Sequence, residues 1–251
     1  MINNYNNNDK KVHIFYPRLV TETPFENTKI ISYGLIVYAI NTKRVIVVQR
    51  LHSVESLLIL TGYYRPSLIP LLLPNTTLNE HDMFKKLIIN DKQYYTEFCI
   101  NHIGLDEKDV EYGYVRFLES KNIIDDVLSK NPAYQELKWT WPKGRLSPED
   151  KNDGLLCAIR EFTEEVEITL PPPVYISNDY IITETIKTLS CKMIETRCWV
   201  YVIDHEPQLP LLLQHKEVND RQWIEVEQAS ILLKQPNLLY DLTYHLNQIV
   251  I

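Results

Sequence analysis

The sequence predicts an α/β fold, a mixed sheet with helices on both faces, and three observations lead to it. Two β-rich runs lie near the N-terminus, at residues 31–40 and 45–49, and the polar tetrapeptide between them predicts a hairpin. A long segment of helical character follows. β-rich runs then return and two helical runs close the chain, with strands predicted over 174–186, 196–203 and 222–226, a turn within 189–198, and helices over 228–234 and 238–249.

The middle of the chain predicts an all-helical lobe inserted into the sheet domain. Helical periods occur at 78–89, 94–103 and 115–128, within a segment that is far longer than an ordinary connection between strands. Prolines interrupt this segment at several points. The expected organisation is an N-terminal extension over 1–29, whose Asn-rich start predicts disorder, a sheet domain over 30–50 and 135–251, and the lobe over 51–134.

Composition narrows the function classes. The 251 residues are 45% hydrophobic, which is enough for a sizeable core. No run of uncharged apolar residues is long enough to predict a membrane-spanning segment, so no membrane association is expected. The formal net charge of −7 is not that of a typical nucleic-acid binder, so contact with RNA requires a local basic patch. The four cysteines have no C-x-x-C spacing, which favours a reducing, cytoplasmic compartment and argues against zinc.

One predicted helix carries three carboxylates on a single face. Glu161, Glu164 and Glu165 are spaced so that they point the same way, and Asn152 or Asp153 is placed to cap the helix start. The opposite face is an apolar stripe, made of Leu155, Ile159, Phe162 and Val166. Like charges held this close are tolerable if water screens them or if a cation lies between them. Oxygen ligands on a fixed backbone suit Mg²⁺ or Mn²⁺.

A turn signal with a lysine and a glycine precedes this helix. A Trp-rich strand is predicted over 137–141, and Pro142, Lys143 and Gly144 follow it. Gly144 allows the backbone to approach a ligand closely. Lys143 is a candidate to contact a phosphate oxygen as a point charge. The predicted order is therefore strand, turn with lysine and glycine, then acidic helix.

These residues resemble the Nudix box, in which a glycine and a glutamate precede an Arg-Glu pair, a bulky apolar residue and two further glutamates. The matching residues are Gly144, Arg160, Glu161, Phe162, Glu164, Glu165 and Ile168. The resemblance implies the Nudix α/β/α sandwich with a mixed sheet, metal ligation by Glu161, Glu164, Glu165 and the carbonyl of Gly144, and a role for Arg160 in orienting the box carboxylates.

The extended run Trp141-Pro142-Lys143-Gly144 is most similar to the mRNA-decapping Nudix enzymes of large cytoplasmic DNA viruses, of the asfarvirus type. That type implies capped mRNA as substrate and a location in the host cytoplasm. Such enzymes carry an extra glutamate shortly before a short Trp-containing strand, and here Glu217 precedes Trp223. Glu217 or a box glutamate is therefore the expected general base.

Two departures from the box pattern affect its loop. The segment from Gly144 to Arg160 is two residues longer than the pattern, so that either Asp150 or Asn152 can take the place of the first box glutamate. Glu167 stands where the pattern has a glycine that caps the helix in the left-handed region, at a cost of roughly 1 kcal/mol.

The leading expectation is a divalent-metal-dependent hydrolase that cleaves the mRNA cap and releases methylated guanosine diphosphate. Hydrolysis of diphosphoinositol polyphosphates or of nucleotides is an alternative, because the box recognises a diphosphate and not what flanks it. A Nudix-fold RNA-binding module that has lost activity is the alternative from another class.

Overall fold

The computed structural model describes residues 12–14, 29–130, 136–178, 182–187, 193–211, 213, 217–235 and 238–247. The predicted disordered tract at the N-terminus lies outside the described residues. Within them the strands are β1 (Val12–Ile14), β2 (Lys29–Ala39), β3 (Arg44–Arg50), β4 (Trp139–Thr140), β5 (Lys143–Gly144), β6 (Tyr175–Ile176), β7 (Ile182–Lys187), β8 (Met193–Ile203) and β9 (Val218–Glu225).

The described α-helices fall into an inserted group and a group that follows it in the chain. The first group is α1 (Val54–Thr61), α2 (Ile69–Leu72), α3 (Leu78–Ile89), α4 (Lys92–Phe98) and α5 (Glu107–Ser129). The second is α6 (Gly154–Val166), α7 (Val226–Leu232) and α8 (Leu238–Leu246). A π-helical turn, Cys99–Ile103, extends α4.

The strands form one mixed sheet. Its main order is β1-β7-β8-β2-β3-β4, while β5 pairs with β2, β6 with β8, and β9 with β3. The long central pair β2 and β8 is parallel, and β2 and β3 are antiparallel. The predicted hairpin between β2 and β3 is confirmed, since Tyr38 pairs with Val45 and Ala39 with Arg44.

Alternation along β2 gives the sheet two buried faces. Leu35 and Val37 pack on one face in a cluster with Phe162 and Val166 of α6. Ile36 packs on the other face in a cluster with residues of α7 and α8, namely Val226, Ala229 and Leu242. The predicted fold class, an α/β/α sandwich with a mixed sheet, is therefore confirmed. Each large apolar side chain so buried contributes about 1.5–3 kcal/mol.

The helices between β3 and β4 enclose a separate apolar core, so the predicted helical lobe is also confirmed. Phe84 of α3 and Phe117 of α5 are buried there, with ring centroids 6.5 Å apart. Tyr95 of α4 is buried too and donates its hydroxyl to the carbonyl of Leu60. Gly113 lets α5 cross α1 closely, because a Cβ at this position would lie 2.0 Å from the carbonyl oxygen of Leu60. The division of the chain into domains at 29/30, 50/51 and 134/135 stays a prediction.

Several predicted bounds were wrong. The predicted strand over 137–141 is limited to the two residues of β4, and the strand over 174–186 is two strands, β6 and β7. β8 begins at Met193 rather than 196. The turn predicted within 189–198 stays a prediction, because residues 188–192 lie outside the described part. β9 begins at Val218 rather than 222, because its polar first residues pair with β3. Helices α1 and α2 were not predicted. Among the described residues, no helix is both long and apolar enough to cross a membrane.

Candidate functional site

Helix α6 presents the box carboxylates from a firmly packed base. The carboxylate of Asp153 accepts hydrogen bonds from the N–H groups of Leu155 and Leu156 at 2.8 and 3.2 Å, so Asp153, and not Asn152, caps the helix. Phe162 and Val166 are fully buried against the sheet. Because residues three and four apart share a helix face, this packing fixes the direction in which the glutamates point.

Glu161 lies directly against Gly144 of β5. A Cβ on Gly144 would stand 2.0 Å from the carboxyl carbon of Glu161. The missing side chain is therefore what makes room for this carboxylate beside the strand. The carbonyl oxygen of Gly144 accepts a hydrogen bond from the hydroxyl of Ser32 at 3.1 Å. Burial raises the pKa of Glu161, the neighbouring Arg160 lowers it, and the charges of Glu164 and Glu217 raise it further.

Glu165 is the buried member of the set, with 4% of its surface exposed. Its Oε2 accepts a hydrogen bond from the backbone N–H of Lys143 at 2.9 Å, which ties α6 to β5. Burial raises the pKa of Glu165 to about 8, although the charge of Arg50 and the Lys143 N–H lower it and the charges of Glu161 and Glu217 raise it. The fold thus buries the Glu165 carboxylate with too little positive charge nearby to compensate its ionised form.

Arg160 lies among three carboxylates. It contacts Asp150, Glu161 and Glu164, each at 2.9 Å, and donates to the carbonyl of Arg145 at 3.0 Å. Glu164 is the most open of the three, with 48% of its side chain exposed. Arg160 therefore orients two box carboxylates and the loop before α6 through direct ion pairs.

Asp150 is the acidic residue that the lengthened loop brings to Arg160. Its side chain is 3% exposed, and both of its oxygens accept from the guanidinium. The Arg160 hydrogen bonds hold the pKa of Asp150 well below its usual range, and Ser147 adds a hydrogen bond from its N–H. Asn152 is exposed and has a φ of 64°. Of the two residues that the sequence left open, Asp150 is the one beside the box arginine.

The Lys143 side chain is not brought to the carboxylates. The Cβ of Lys143 lies against Gly34, and its Nζ donates to the hydroxyl of Thr196 at 3.4 Å. The position that a side chain of the next residue, Gly144, would occupy lies against Glu161. Successive residues of a strand point to opposite faces of the sheet, so Lys143 points away from α6. Its backbone N–H contributes to the carboxylate cluster through the hydrogen bond to Glu165.

Glu217 reaches the same region from the other end of the chain. It is exposed, directly precedes β9, and its carbonyl accepts a hydrogen bond from the N–H of Leu51 at 2.8 Å. Its charge raises the pKa of both Glu161 and Glu165. The pairing of β3 with β9 therefore brings this glutamate into electrostatic range of the box.

Two residues at the end of β3 belong to this region and were not assigned to it from sequence. Arg50 is the last residue of β3, and its charge lowers the pKa of Glu165. His52, two residues after β3, is half-buried; burial lowers its pKa, and the charges of Glu80 and Glu217 act in the opposite direction. A register in which β3 ends opposite the start of β9 would have indicated both residues, but the sequence does not set that register.

The donor chemistry of the cluster fits a hard divalent cation. Among the described residues, no three acidic, histidine or cysteine side chains are arranged as a ready-made metal site. Mg²⁺ in proteins is commonly held by one or two carboxylates, with waters and substrate phosphates completing its coordination. Glu161 and Glu165, beside the open backbone at Gly144, supply this kind of oxygen donor set. Glu164 is paired with Arg160.

Helix α6 ends at Glu167, the position at which the box pattern has a glycine. This residue caps α6 with a φ of 57°, the left-handed conformation in which the box pattern has glycine. Its carboxylate accepts from the buried guanidinium of Arg221 on β9 at 3.0 Å, and Arg221 also donates to the carbonyl of Pro210. The ion pair offsets part of the backbone strain and joins α6 to β9.

Comparison with solved structures finds similar folds at low identity. The chain is similar to a C. elegans Ap4A hydrolase in a binary complex, with 16% identity, a TM-score of 0.45, and 87% of this chain and 98% of that chain covered. It is similar to the E. coli dihydroneopterin triphosphate pyrophosphohydrolase, with 14% identity, a TM-score of 0.40, and 86% and 95% covered. It is also similar to the Nudix domain of Shewanella oneidensis NrtR complexed with ADP ribose, with 10% identity, a TM-score of 0.41, and 88% and 90% covered.

The likeness to these structures concerns the fold alone and assigns no chemistry to this chain. No protein-family model and no curated protein matches the sequence.

Proposed function

We propose that this protein is a divalent-metal-dependent Nudix hydrolase that cleaves the 5′ cap of mRNA and releases methylated guanosine diphosphate. The observation that carries the hydrolase part is the convergence of Glu161 and Glu165 at the open backbone of Gly144, with Glu217 in range. Carboxylates are placed there at an electrostatic cost that folding alone does not require.

A bound Mg²⁺ or Mn²⁺ would neutralise the diphosphate and activate a water. Glu161 and Glu165 would hold the cation, because both are fixed against β5. Arg160 keeps Glu164 and Glu161 oriented at the mouth of the site. Glu217, which is more open to solvent, would accept the proton of the attacking water.

The cap as substrate is supported by two features. The run Trp141-Pro142-Lys143-Gly144 resembles decapping Nudix enzymes, and a helical lobe is inserted between β3 and β4. Long insertions usually carry function, and we expect this lobe to hold the body of the RNA.

The test is a substrate panel with a single chromatographic readout. Cap-labelled RNA, free cap analogue, a nucleoside diphosphate compound and a diphosphoinositol polyphosphate are each incubated with Mg²⁺ and with Mn²⁺. We expect methylated guanosine diphosphate from capped RNA, at a rate well above that for the free cap analogue.

Each other outcome identifies an alternative. Preference for the inositol compound or the nucleotide would replace capped mRNA as the substrate and keep the hydrolase. Binding of RNA without metal-dependent turnover of any diphosphate would contradict the enzyme and favour an inactive RNA-binding module.

A further inference from the structure

Strand β5 lies between the sheet and helix α6, and its ladder with β2 is short. Lys143 pairs with Gly34, and Gly144 pairs with Tyr33. Gly34 allows this approach, because a Cβ at its position would lie 2.9 Å from the Cβ of Lys143. A ladder of two residue pairs supplies few hydrogen bonds, so each further contact to the β5 backbone contributes to its position.

The hydroxyl of Ser32 on β2 makes such a contact. It donates to the carbonyl oxygen of Gly144 at 3.1 Å, and Ser32 is 8% exposed. Successive residues of a strand point to opposite faces, and the next residue, Tyr33, packs against the cluster beneath α6. The Ser32 side chain therefore holds the Gly144 carbonyl from the face of the sheet that is turned away from α6.

Helix α6 holds the same stretch of backbone from the other side. Glu165 accepts a hydrogen bond from the N–H of Lys143 at 2.9 Å, and Arg160 donates to the carbonyl of Arg145 at 3.0 Å. The carbonyl that Ser32 bonds belongs to the residue between these two contacts. The backbone over 143–145 is therefore fixed between box residues of the helix and a hydroxyl of the sheet.

The glycine in the middle of this stretch makes the Ser32 contact important. Gly144 leaves room for the Glu161 carboxylate because it has no side chain. For the same reason its backbone is conformationally permissive, and the chain leaves the strand at the next residue. A hydrogen bond to the Gly144 carbonyl restricts rotation of the peptide group that follows it. Ser32 thus supplies the rigidity that a glycine at this position lacks.

We propose that Ser32 is a positioning residue of the candidate metal site, whose hydroxyl fixes the backbone at Gly144 against which Glu161 and Glu165 hold the cation. The inference rests on the proposed function. Ser32 acts through the backbone of β5 and exchanges no proton. Its loss should therefore weaken metal binding and leave the chemical step intact once the metal is saturating.

Two substitutions of equal shape separate the hydroxyl from packing. Ser32→Thr keeps the hydroxyl, whereas Ser32→Val replaces it by a methyl group. Affinity for Mn²⁺ is measured by electron paramagnetic resonance of the free ion. We expect it to be close to wild type in Ser32→Thr and weaker by roughly tenfold in Ser32→Val, the size typical of losing a group that orients a metal site from outside.

Two further readouts are specific to positioning. In the metal-free protein, hydrogen exchange at the Lys143 amide should be faster in Ser32→Val than in Ser32→Thr, because the strand that presents this N–H to Glu165 is less well fixed. The metal concentration for half-maximal diphosphate turnover should rise in Ser32→Val, while kcat at saturating metal stays near wild type.

Thr196→Val is the matched control. Thr196 is the residue of β8 that pairs with Ser32, it is buried, and its hydroxyl accepts from the side chain of Lys143. The variant removes a buried hydroxyl from the neighbouring strand in the same isosteric way. We expect Thr196→Val to bind Mn²⁺ as tightly as the wild type.

The outcomes distinguish this inference from the proposed function. Equal Mn²⁺ affinity in Ser32→Thr and Ser32→Val, in a protein whose Mn²⁺ binding depends on Glu165, would overturn the inference and leave the metal site intact. An equal loss in Thr196→Val would also overturn it. If Ser32→Val does not fold, Ser32→Ala takes its place, and failure of both to fold would make Ser32 a residue of the fold alone and overturn the inference. A wild-type protein that binds no Mn²⁺ would contradict both proposals.

Discussion

Two buried glutamates, Glu80 in the helical lobe and Glu165 on α6, show how the two halves of this molecule differ. Both are almost fully buried. Glu80 accepts three hydrogen bonds from its surroundings and caps two helices. Glu165 accepts a hydrogen bond from the Lys143 N–H and lies near the like charges of Glu161 and Glu217. A satisfied carboxylate stabilises its fold, whereas a poorly compensated one points to a ligand.

The largest expected effect follows from substituting each of these two glutamates by glutamine. Glu165→Gln should abolish diphosphate turnover while the fold survives, because a neutral amide suits a site that already raises the pKa of the acid to about 8. Glu164→Gln should also abolish turnover without loss of stability. Glu80→Gln should destabilise the protein by about 2 kcal/mol, since it loses charge-assisted hydrogen bonds. Turnover assays at saturating metal and urea unfolding measure the two effects.

The opposite results would contradict this distinction between Glu80 and Glu165. If Glu165→Gln unfolds the protein as readily as Glu80→Gln does, Glu165 is a structural residue. Wild-type rates in both Glu164→Gln and Glu165→Gln would remove the assignment of the box to catalysis.

The local sequence pattern predicted the acidic face of α6, but it did not predict which side chains surround that face. The spacing of Glu161, Glu164 and Glu165 against an apolar stripe depends only on helix period, and the structure follows it. The direction of Lys143 depends on which face of a two-residue strand it occupies, and a lone Lys-Gly pair does not reveal that.

The pairing of strands that are distant in the chain could not be predicted from the sequence either. The approach of Leu51 to Glu217 depends on the register between β3 and β9, which are separated by the lobe and most of the chain. The choice of Asp150 over Asn152 depends on the left-handed turn at Lys151 and Asn152, and non-glycine residues there are not predictable from composition.

The next effect in size concerns Glu217. If it is the base, Glu217→Gln should lower kcat by roughly 10²–10⁴. The metal concentration for half activity should change little, whereas a box substitution should shift it strongly. Losing the base should also remove or displace the acid limb of the pH–rate profile. A rate close to wild type would make Glu217 a bystander and return the role of base to Glu161, Glu164 or Glu165.

A stability effect is expected at Asp150. Asp150→Asn leaves the guanidinium of Arg160 without its buried partner and should cost roughly 3 kcal/mol near neutral pH. Because the folded state lowers the pKa of Asp150, its stabilisation is present above the unfolded pKa of about 4 and is lost as the pH falls further. Urea unfolding at pH 7 and pH 3 should show the difference from wild type shrinking in acid. Glu149→Gln, which removes an exposed carboxylate from the same loop, is the control.

The smallest effect is at the helix end. Glu167→Gly relieves a left-handed glutamate by roughly 1 kcal/mol but leaves Arg221 buried without its carboxylate. We expect a net loss of roughly 2 kcal/mol. Adding Arg221→Met to Glu167→Gly should recover stability, since it removes the buried guanidinium that has lost the Glu167 carboxylate. A single variant more stable than wild type would show that the ion pair contributes little.

Direct binding of Mn²⁺ tests the central claim that Glu161 and Glu165 hold a divalent cation at Gly144. The free Mn²⁺ signal is followed by electron paramagnetic resonance during titration of the wild-type protein, Glu165→Gln and the control Glu80→Gln. We predict that the wild type and any folded Glu80→Gln protein deplete free Mn²⁺, and that Glu165→Gln binds it much more weakly. Equal binding by the wild type and Glu165→Gln would contradict the account.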